Sequence, residues 1–338
     1  MRVVEQEHKL EGLQAARAIA ALAVAYFHSY AAIRSAFPES AWLPIAPLKD
    51  WGYLGVNFFF AISGYVICLV VSKTSFTLRS FVIKRLFRLY PMYWVAMAIV
   101  LGLIGLGKYP AQPVGHFLYS MTLLPQHGAP AYDVSWTLER EMVFYALAAA
   151  IVPFGGVRAL ALTLAGLAVL GWQLGNPWSF HLVSTTQADF LAGVLVFLGS
   201  GVFRNIGSAV PIATGLVLLT YTRSHDFPFA TPICMAILLV GMVNLRLPWH
   251  RQPFRLLVLA GDASYSIYLL HYIVFLIAAM ASVRLGFTLP TWVCEPFRFA
   301  AIAACCLISY LTWRVIERPM IRLGDQLSRT RSVKVQPA

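Results

Sequence analysis

The chain has 338 residues, 59% of them hydrophobic and only 12% charged, with a mean hydropathy of +0.71, a net charge of +12 and a pI near 9.7. A soluble domain is nearer 45–50% apolar with about a quarter of its residues charged, so a soluble globular enzyme and a disordered chain are both excluded. The basic residues fall in short breaks between apolar runs rather than on one face, which excludes a nucleic-acid binder.

A transmembrane helix takes about 20 apolar residues, and apolar runs bounded by basic or Gly/Pro-rich breaks predict ten of them. They span 13–33, 51–72, 87–107, 136–154, 159–175, 182–203, 207–222, 229–247, 256–282 and 293–316. The expected fold is all-α, a polytopic membrane bundle of about ten transmembrane helices forming one domain over 1–338.

In the first helix Arg17 and His28 stand eleven residues apart. That is three turns, so they share a face at a separation of about 16 Å. The charged start and following apolar run outline a signal peptide, but cleavage is rejected because both residues belong to motifs described below. Before the third helix runs Lys84-Arg85-Leu86-Phe87-Arg88-Leu89-Tyr90-Pro91. Arg85 and Arg88 face the same way if helical, and paired guanidinium groups suit a phosphate. Positive-inside topology with lipid headgroup contact is the competing reading. The stretch 116–124 is too short to span and is placed at the interface.

Further ionisable groups lie in apolar surroundings: Glu139, Arg140 and Glu141 opening the fourth helix, Asp189 in the sixth, Asp262 and His271 in the ninth, and Glu295, Arg298 and Arg314 in the tenth. Each costs about 2.5–3.5 kcal/mol at a helix centre, so such groups face a cavity or a partner. Glu141 sits at a depth similar to that of His28, which predicts a His–carboxylate pair that would orient the imidazole. Pairing of Glu141 with Arg140 or Arg298 competes with it. His271 reads equally as a packing residue or a catalyst. Glu317, closing the tenth helix, shares the depth of Arg17 and the Arg85/Arg88 pair, with a local pair to Arg314 as the alternative.

Segments assigned to the inner side hold 17 Lys/Arg and those on the outer side five, which predicts both termini cytoplasmic. Residues 317–338 are then a short basic cytoplasmic tail, with no appended soluble domain. The five cysteines lie in or beside apolar segments without metal or disulfide spacing and read as small buried hydrophobes. Walker, His-Glu-x-x-His and Gly-x-Ser-x-Gly patterns are missing, and no metal site is expected.

Six elements, in order, resemble the acyltransferase 3 family of integral-membrane O-acyltransferases. Leu13 to Ala21 with Phe27-His28-Ser29 looks like its first helix, and Gly55-Val56-Asn57-Phe58-Phe59-Phe60 through Gly64-Tyr65 like its second. Arg85-x-x-Arg88-x-x-Pro91 matches an R-x-x-R-x-x-P element, and Trp136-Thr137-Leu138 with Glu141 and Phe144-Tyr145 a W-[ST]-L-x-x-E-x-x-F-Y element. Ser264-Tyr265-Ser266-Ile267-Tyr268-Leu269-Leu270-His271 and Glu317-Arg318-Pro319 match the two late signatures. Gln14 and the Trp136-Thr137-Leu138 form are most similar to the exopolysaccharide-production branch. Asn57, where many members carry Asp, and Met142-Val143, in place of a more polar pair, depart from the pattern.

The resemblance implies a multi-pass protein of the cell (inner) membrane that moves an acyl group, acetyl or succinyl, from acyl-CoA to a sugar hydroxyl of an exopolysaccharide or other envelope glycan. It implies His28 as the catalytic base or transient acyl carrier, with Glu141 as its carboxylate partner. Arg17, Arg85 and Arg88 would hold the CoA phosphates, and His271, Glu317, Tyr268 and Trp136 would support. The implied partners are acyl-CoA, a lipid-linked or polymeric glycan acceptor, the bilayer and polysaccharide-assembly proteins. A transporter exporting a sugar or lipid-linked glycan intermediate is the alternative, since buried ionisable groups also suit a permeation path. No inverted repeat or paired broken helices support it.

Overall fold

The computed structural model describes residues 2–33, 44–177, 181–223, 229–284 and 291–329, which are helical or in short connections, with no strand among them. In chain order the α-helices are α1 (Arg2–Ala32), α2 (Ala46–Trp51), α3 (Gly55–Val71), α4 (Leu78–Gly105), α5 (Val114–Ser120), α6 (Trp136–Gln173) and α7 (Gln187–Leu198). They continue as α8 (Ser200–Phe203), α9 (Ala209–Arg223), α10 (Ala230–Val243), α11 (Phe254–Asp262), α12 (Ser264–Arg284), α13 (Cys294–Thr312) and α14 (Arg318–Ser328). Among the described residues six runs are long and apolar enough to cross a membrane: Leu10–Ala32, Ala46–Val71, Leu78–Gly105, Asp133–Gln173, Ser264–Arg284 and Cys294–Ser328. The apolar helices Gln187–Leu198, Ala209–Thr222 and Ala230–Val243 are shorter.

The break expected between 154 and 159 is a single residue. Gly156, at φ 71° and ψ −177°, interrupts α6 in a conformation that a side chain would strain. The chain then doubles back, because Asn176 beyond the end of α6 lines the same cleft as Trp136 at its start. Other expected boundaries shift. The ninth helix is divided at Ala263 into α11 and α12, and the sixth at Gly199 into α7 and α8.

The largest difference concerns the arginine segment, which is not a loop. The Thr77 hydroxyl caps the Ser80 N–H at 3.3 Å, and α4 starts at Leu78, more than two turns before the expected 87. The residues after 317 also differ from a plain tail. Beyond the π-helical turn Trp313–Glu317, α14 packs against α4, with Gly324 against Phe87 and a Lys84–Asp325 ion pair at 3.0 Å.

Helix α1 is hemmed in by α3, α10, α11, α12 and α13. Its alanines favour helix and keep its surface slim; Ala15, Ala16, Ala18, Ala20, Ala21 and Ala25 are each at most 1% exposed. A Cβ on Gly55 would meet the Ala20 carbonyl oxygen at 2.5 Å, and one on Gly261 would collide with that of Gln14. Small residues of this kind let helix backbones approach closely in lipid. The register of α1, and so the placement of Arg17 and His28, is set by backbone contact.

The same device joins α3 to α7, where Gly64 lies on the Phe190 carbonyl and Gly193 on that of Ala61. Beside them Phe190 stacks on Phe144 at 4.3 Å and contacts Phe60 at 4.6 Å. Gly193→Val should destabilise the fold by about 1–3 kcal/mol, because two helix backbones must separate. This is read as a lower thermal midpoint in detergent, and an unchanged midpoint would contradict backbone contact here.

Candidate active site

One cavity opens at the Arg17 end of α1. Its walls are α1, α3, α4, the start of α6 and the start of α12, and it encloses about 740 Å³ with its open mouth included. Arg17, Arg85 and Arg88 all line it, so the structure brings Arg17 of α1 beside the distant Arg85/Arg88 pair of α4. Arg85 and Arg88 share the inner face of α4 because they are three residues apart on a helix. Arg85 is held against the rings of Tyr145 at 5.2 Å and Phe81 at 5.6 Å, and its Nε is buried without a partner. Among the described residues none of the three arginines forms an ion pair. Like charges gathered this way repel, and a bound anion offsets that repulsion.

Glu141 belongs to this end and is not the partner of His28. Its carboxylate accepts from Ser63 Oγ at 2.8 Å and from the Tyr145 hydroxyl, and it lines the arginine cavity. The expected depth match with His28 fails: Glu141 lies level with Ser63 of α3 and shares the cavity of Arg17, which His28 does not line. Neither competing pairing holds: Arg140 donates to Ser184 at 2.7 Å, and Arg298 pairs with Glu295 at 2.9 Å. Glu317 accepts from Ser266 Oγ at 2.7 Å and lies in the field of Arg88 and Arg17. The cluster expected there forms in place of a local pair with Arg314.

His28, half-buried three turns along α1, meets a second imidazole. His271 Nε2 is 3.0 Å from His28 Nδ1, and His271 Nδ1 is 2.6 Å from the Tyr268 carbonyl oxygen. A carbonyl only accepts, so His271 Nδ1 carries its proton. In the neutral rings His271 Nε2 is then an acceptor, and His28 must donate from Nδ1. The free lone pair of His28 is therefore on Nε2. A buried backbone carbonyl, relayed through a fully buried ring, sets the tautomer of the half-exposed one.

Tyr268 connects the two ends. Its ring lines the arginine cavity and lies 5.8 Å from His271, and its hydroxyl contacts Thr137 Oγ1 at 2.9 Å and the Val134 carbonyl at 3.0 Å. His28 also packs edge-on to Phe27 at 5.1 Å and Tyr272 at 6.3 Å. Asp133, which the sequence did not single out, is the carboxylate whose field reaches His28.

The remaining buried ions are committed to holding the bundle. Glu295 takes the Tyr26 and Tyr30 hydroxyls as well as Arg298, and Glu139 takes Gln126 at 2.6 Å and His181 at 3.0 Å. Asn57, the departure noted in the second element, donates to Asp189 at 2.9 Å; a second carboxylate at 57 would repel it. Asp262 accepts from Gln14 at 2.7 Å. Trp136 is half-buried, with Phe60 edge-on at 6.3 Å and the Arg140 guanidinium 5.2 Å from its ring.

The family model described as an acyltransferase domain, that of the acyltransferase 3 family, matches residues 10–314. The chain is 27% identical over 299 residues to "Exopolysaccharide production protein ExoZ" of Rhizobium meliloti (strain 1021), covering 81% of this chain and 90% of that protein. It is 26% identical over 319 residues to "Nodulation protein 10" of Rhizobium leguminosarum bv. viciae, covering 81% and 83% respectively. No solved structure matches it significantly. The apolar helices, the arginine cavity and this match over nearly the whole chain lead to one conclusion: the chain belongs to the acyltransferase 3 family and is a membrane acyltransferase.

Proposed function

We propose that this enzyme transfers an acyl group, acetyl or succinyl, from acyl-CoA to a sugar hydroxyl of an exopolysaccharide. The observation that carries the reading is the arrangement along α1. Three convergent guanidinium groups, without an ion pair among the described residues, stand at one end, and His28 with a defined tautomer lies three turns away. The arginines suit the phosphates of a CoA ester, whose pantetheine arm has a reach comparable with the roughly 16 Å rise from Arg17 to His28. The exopolysaccharide acceptor is proposed from the name of the Rhizobium meliloti relative.

In this reading the chain crosses the inner membrane about ten times, counting α6 as two crossings and α7, α9 and α10 as one each. Both termini are cytoplasmic, as the distribution of basic residues favours. The arginine end then faces the cytoplasm and the His28 end the opposite side. His28 Nε2 takes the proton of the acceptor hydroxyl as its oxygen attacks the thioester carbonyl. The C–O bond forms, the C–S bond breaks, and the His28 imidazolium returns the proton to the departing thiolate.

Equilibrium binding of acetyl-CoA and succinyl-CoA to the purified protein tests the reading. Saturable binding of at least one, weakened by free CoA, is expected. A protein that binds neither would take its acyl group from another donor, and the CoA reading would fall.

A further inference from the structure

A second cleft opens at the His28 end of the bundle, about 810 Å³ with its mouth included. It lies between the start of α6 and the segment that follows α6. Trp136, Asp133 and Arg140 form one wall, and Asn176 with Ser184, Thr185 and Thr186 the other. The two walls are joined by the return of the chain at Gly156, so the cleft exists only because α6 doubles back.

The groups facing it are arranged for a polyhydroxylated ligand. Trp136 contributes a large amphipathic ring, half-buried and fixed by its neighbours. Asp133 is exposed, and among the described residues its carboxylate makes no ion pair or hydrogen bond. Asn176 spends its Oδ1 on the Thr185 N–H at 2.8 Å, which ties the far wall and holds the amide in place. Arg140 donates to both Ser184 Oγ and Thr186 Oγ1, so these hydroxyls are oriented. A site of this kind, one apolar platform with a few fixed polar groups, gives orientation to a small polar ligand.

The cleft is also joined to the chemistry. Asp133 opens the turn Asp133–Ser135, whose Val134 carbonyl accepts from the Tyr268 hydroxyl. The Tyr268 carbonyl in turn orients His271 and through it His28. A ligand seated on the Asp133 turn therefore sits on the same rigid relay that defines the free Nε2.

We infer that this cleft seats a neutral hexose unit of the acceptor, with the Trp136 indole against a sugar face and Asp133 and Asn176 on its hydroxyls. The inference rests on the acyltransfer reading above and adds the acceptor subsite to it. Positioning of this sort affects acceptor capture and leaves donor binding to the arginine cavity at the other end.

The test uses the full-length protein in nanodiscs, free of sugar-headed detergents, with methyl β-glucoside and methyl β-galactoside as probes and acetyl-CoA binding as control. Wild type should bind one of the hexosides. Trp136→Ala and Asp133→Asn should each weaken that binding tenfold or more, Trp136→Phe less so, while acetyl-CoA affinity stays within about twofold. Hexoside binding equal in all variants, or absent from a wild type that binds acetyl-CoA, would overturn the subsite and leave the donor reading standing. Loss of acetyl-CoA binding in both Trp136→Ala and Trp136→Phe would mean that Trp136 is structural and would overturn it too. A wild type that binds no CoA ester would sink the CoA-dependent reading itself.

Discussion

Replacing His28 with alanine should lower acyl transfer by on the order of 10²–10⁴-fold, the usual contribution of a positioned general base, while the protein still folds and binds donor. The ring is half-buried and its neighbours are aromatic, so its removal costs packing but no buried ion pair. The loss should appear in kcat, because the imidazole acts on the acceptor proton and not on the CoA phosphates. His271 is a positioning residue in the same account. His271→Leu removes the acceptor for the His28 Nδ1–H and frees the ring to move its proton to Nε2, with an expected loss of about 10–100-fold in kcat. His271→Gln, whose side-chain carbonyl can still accept that proton, should recover part of the rate. Equal losses in the Leu and Gln variants would point to packing alone.

The second large effect falls on the donor. Arg85→Ala or Arg88→Ala should weaken acyl-CoA binding about 10- to 100-fold each, since a charge-assisted hydrogen bond contributes about 1.5–3 kcal/mol. The change should lie in KM with kcat little altered, and measured donor affinity should fall with ionic strength. Lysine at either position should restore only part of it, because a point charge lacks the planar fork of a guanidinium. An unchanged KM in both alanine variants would reduce these arginines to topology signals.

The arginine site was legible in the sequence because it depends on spacing along single helices. Arg85 and Arg88 face together once α4 is helical, and the interval from Arg17 to His28 is fixed by helical rise. What stayed hidden depends on how deep each helix sits in the bundle and on contacts between distant segments. Glu141 reaches Ser63 on α3 at the Arg17 end, and no property of its own segment sets how deep the start of α6 lies. His271 looked solitary because its partner is 243 residues away.

Boundaries show the same division. The Gly156 break was visible as a Pro/Gly interruption. The early start of α4 was not, because its basic first turns read as a loop; they are helical because Thr77 caps them and α14 covers them. Asp133 drew no attention, being an ordinary acid in a short connection. Only the doubling back of α6 gives it a cleft to line.

Label transfer from acetyl-CoA and succinyl-CoA by the purified protein, wild type beside His28→Ala, tests the central claim most directly. The account predicts CoA release and labelled glycan from wild type with at least one donor, and loss of both in the variant, which remains folded. Turnover undiminished by removal of His28 would contradict it.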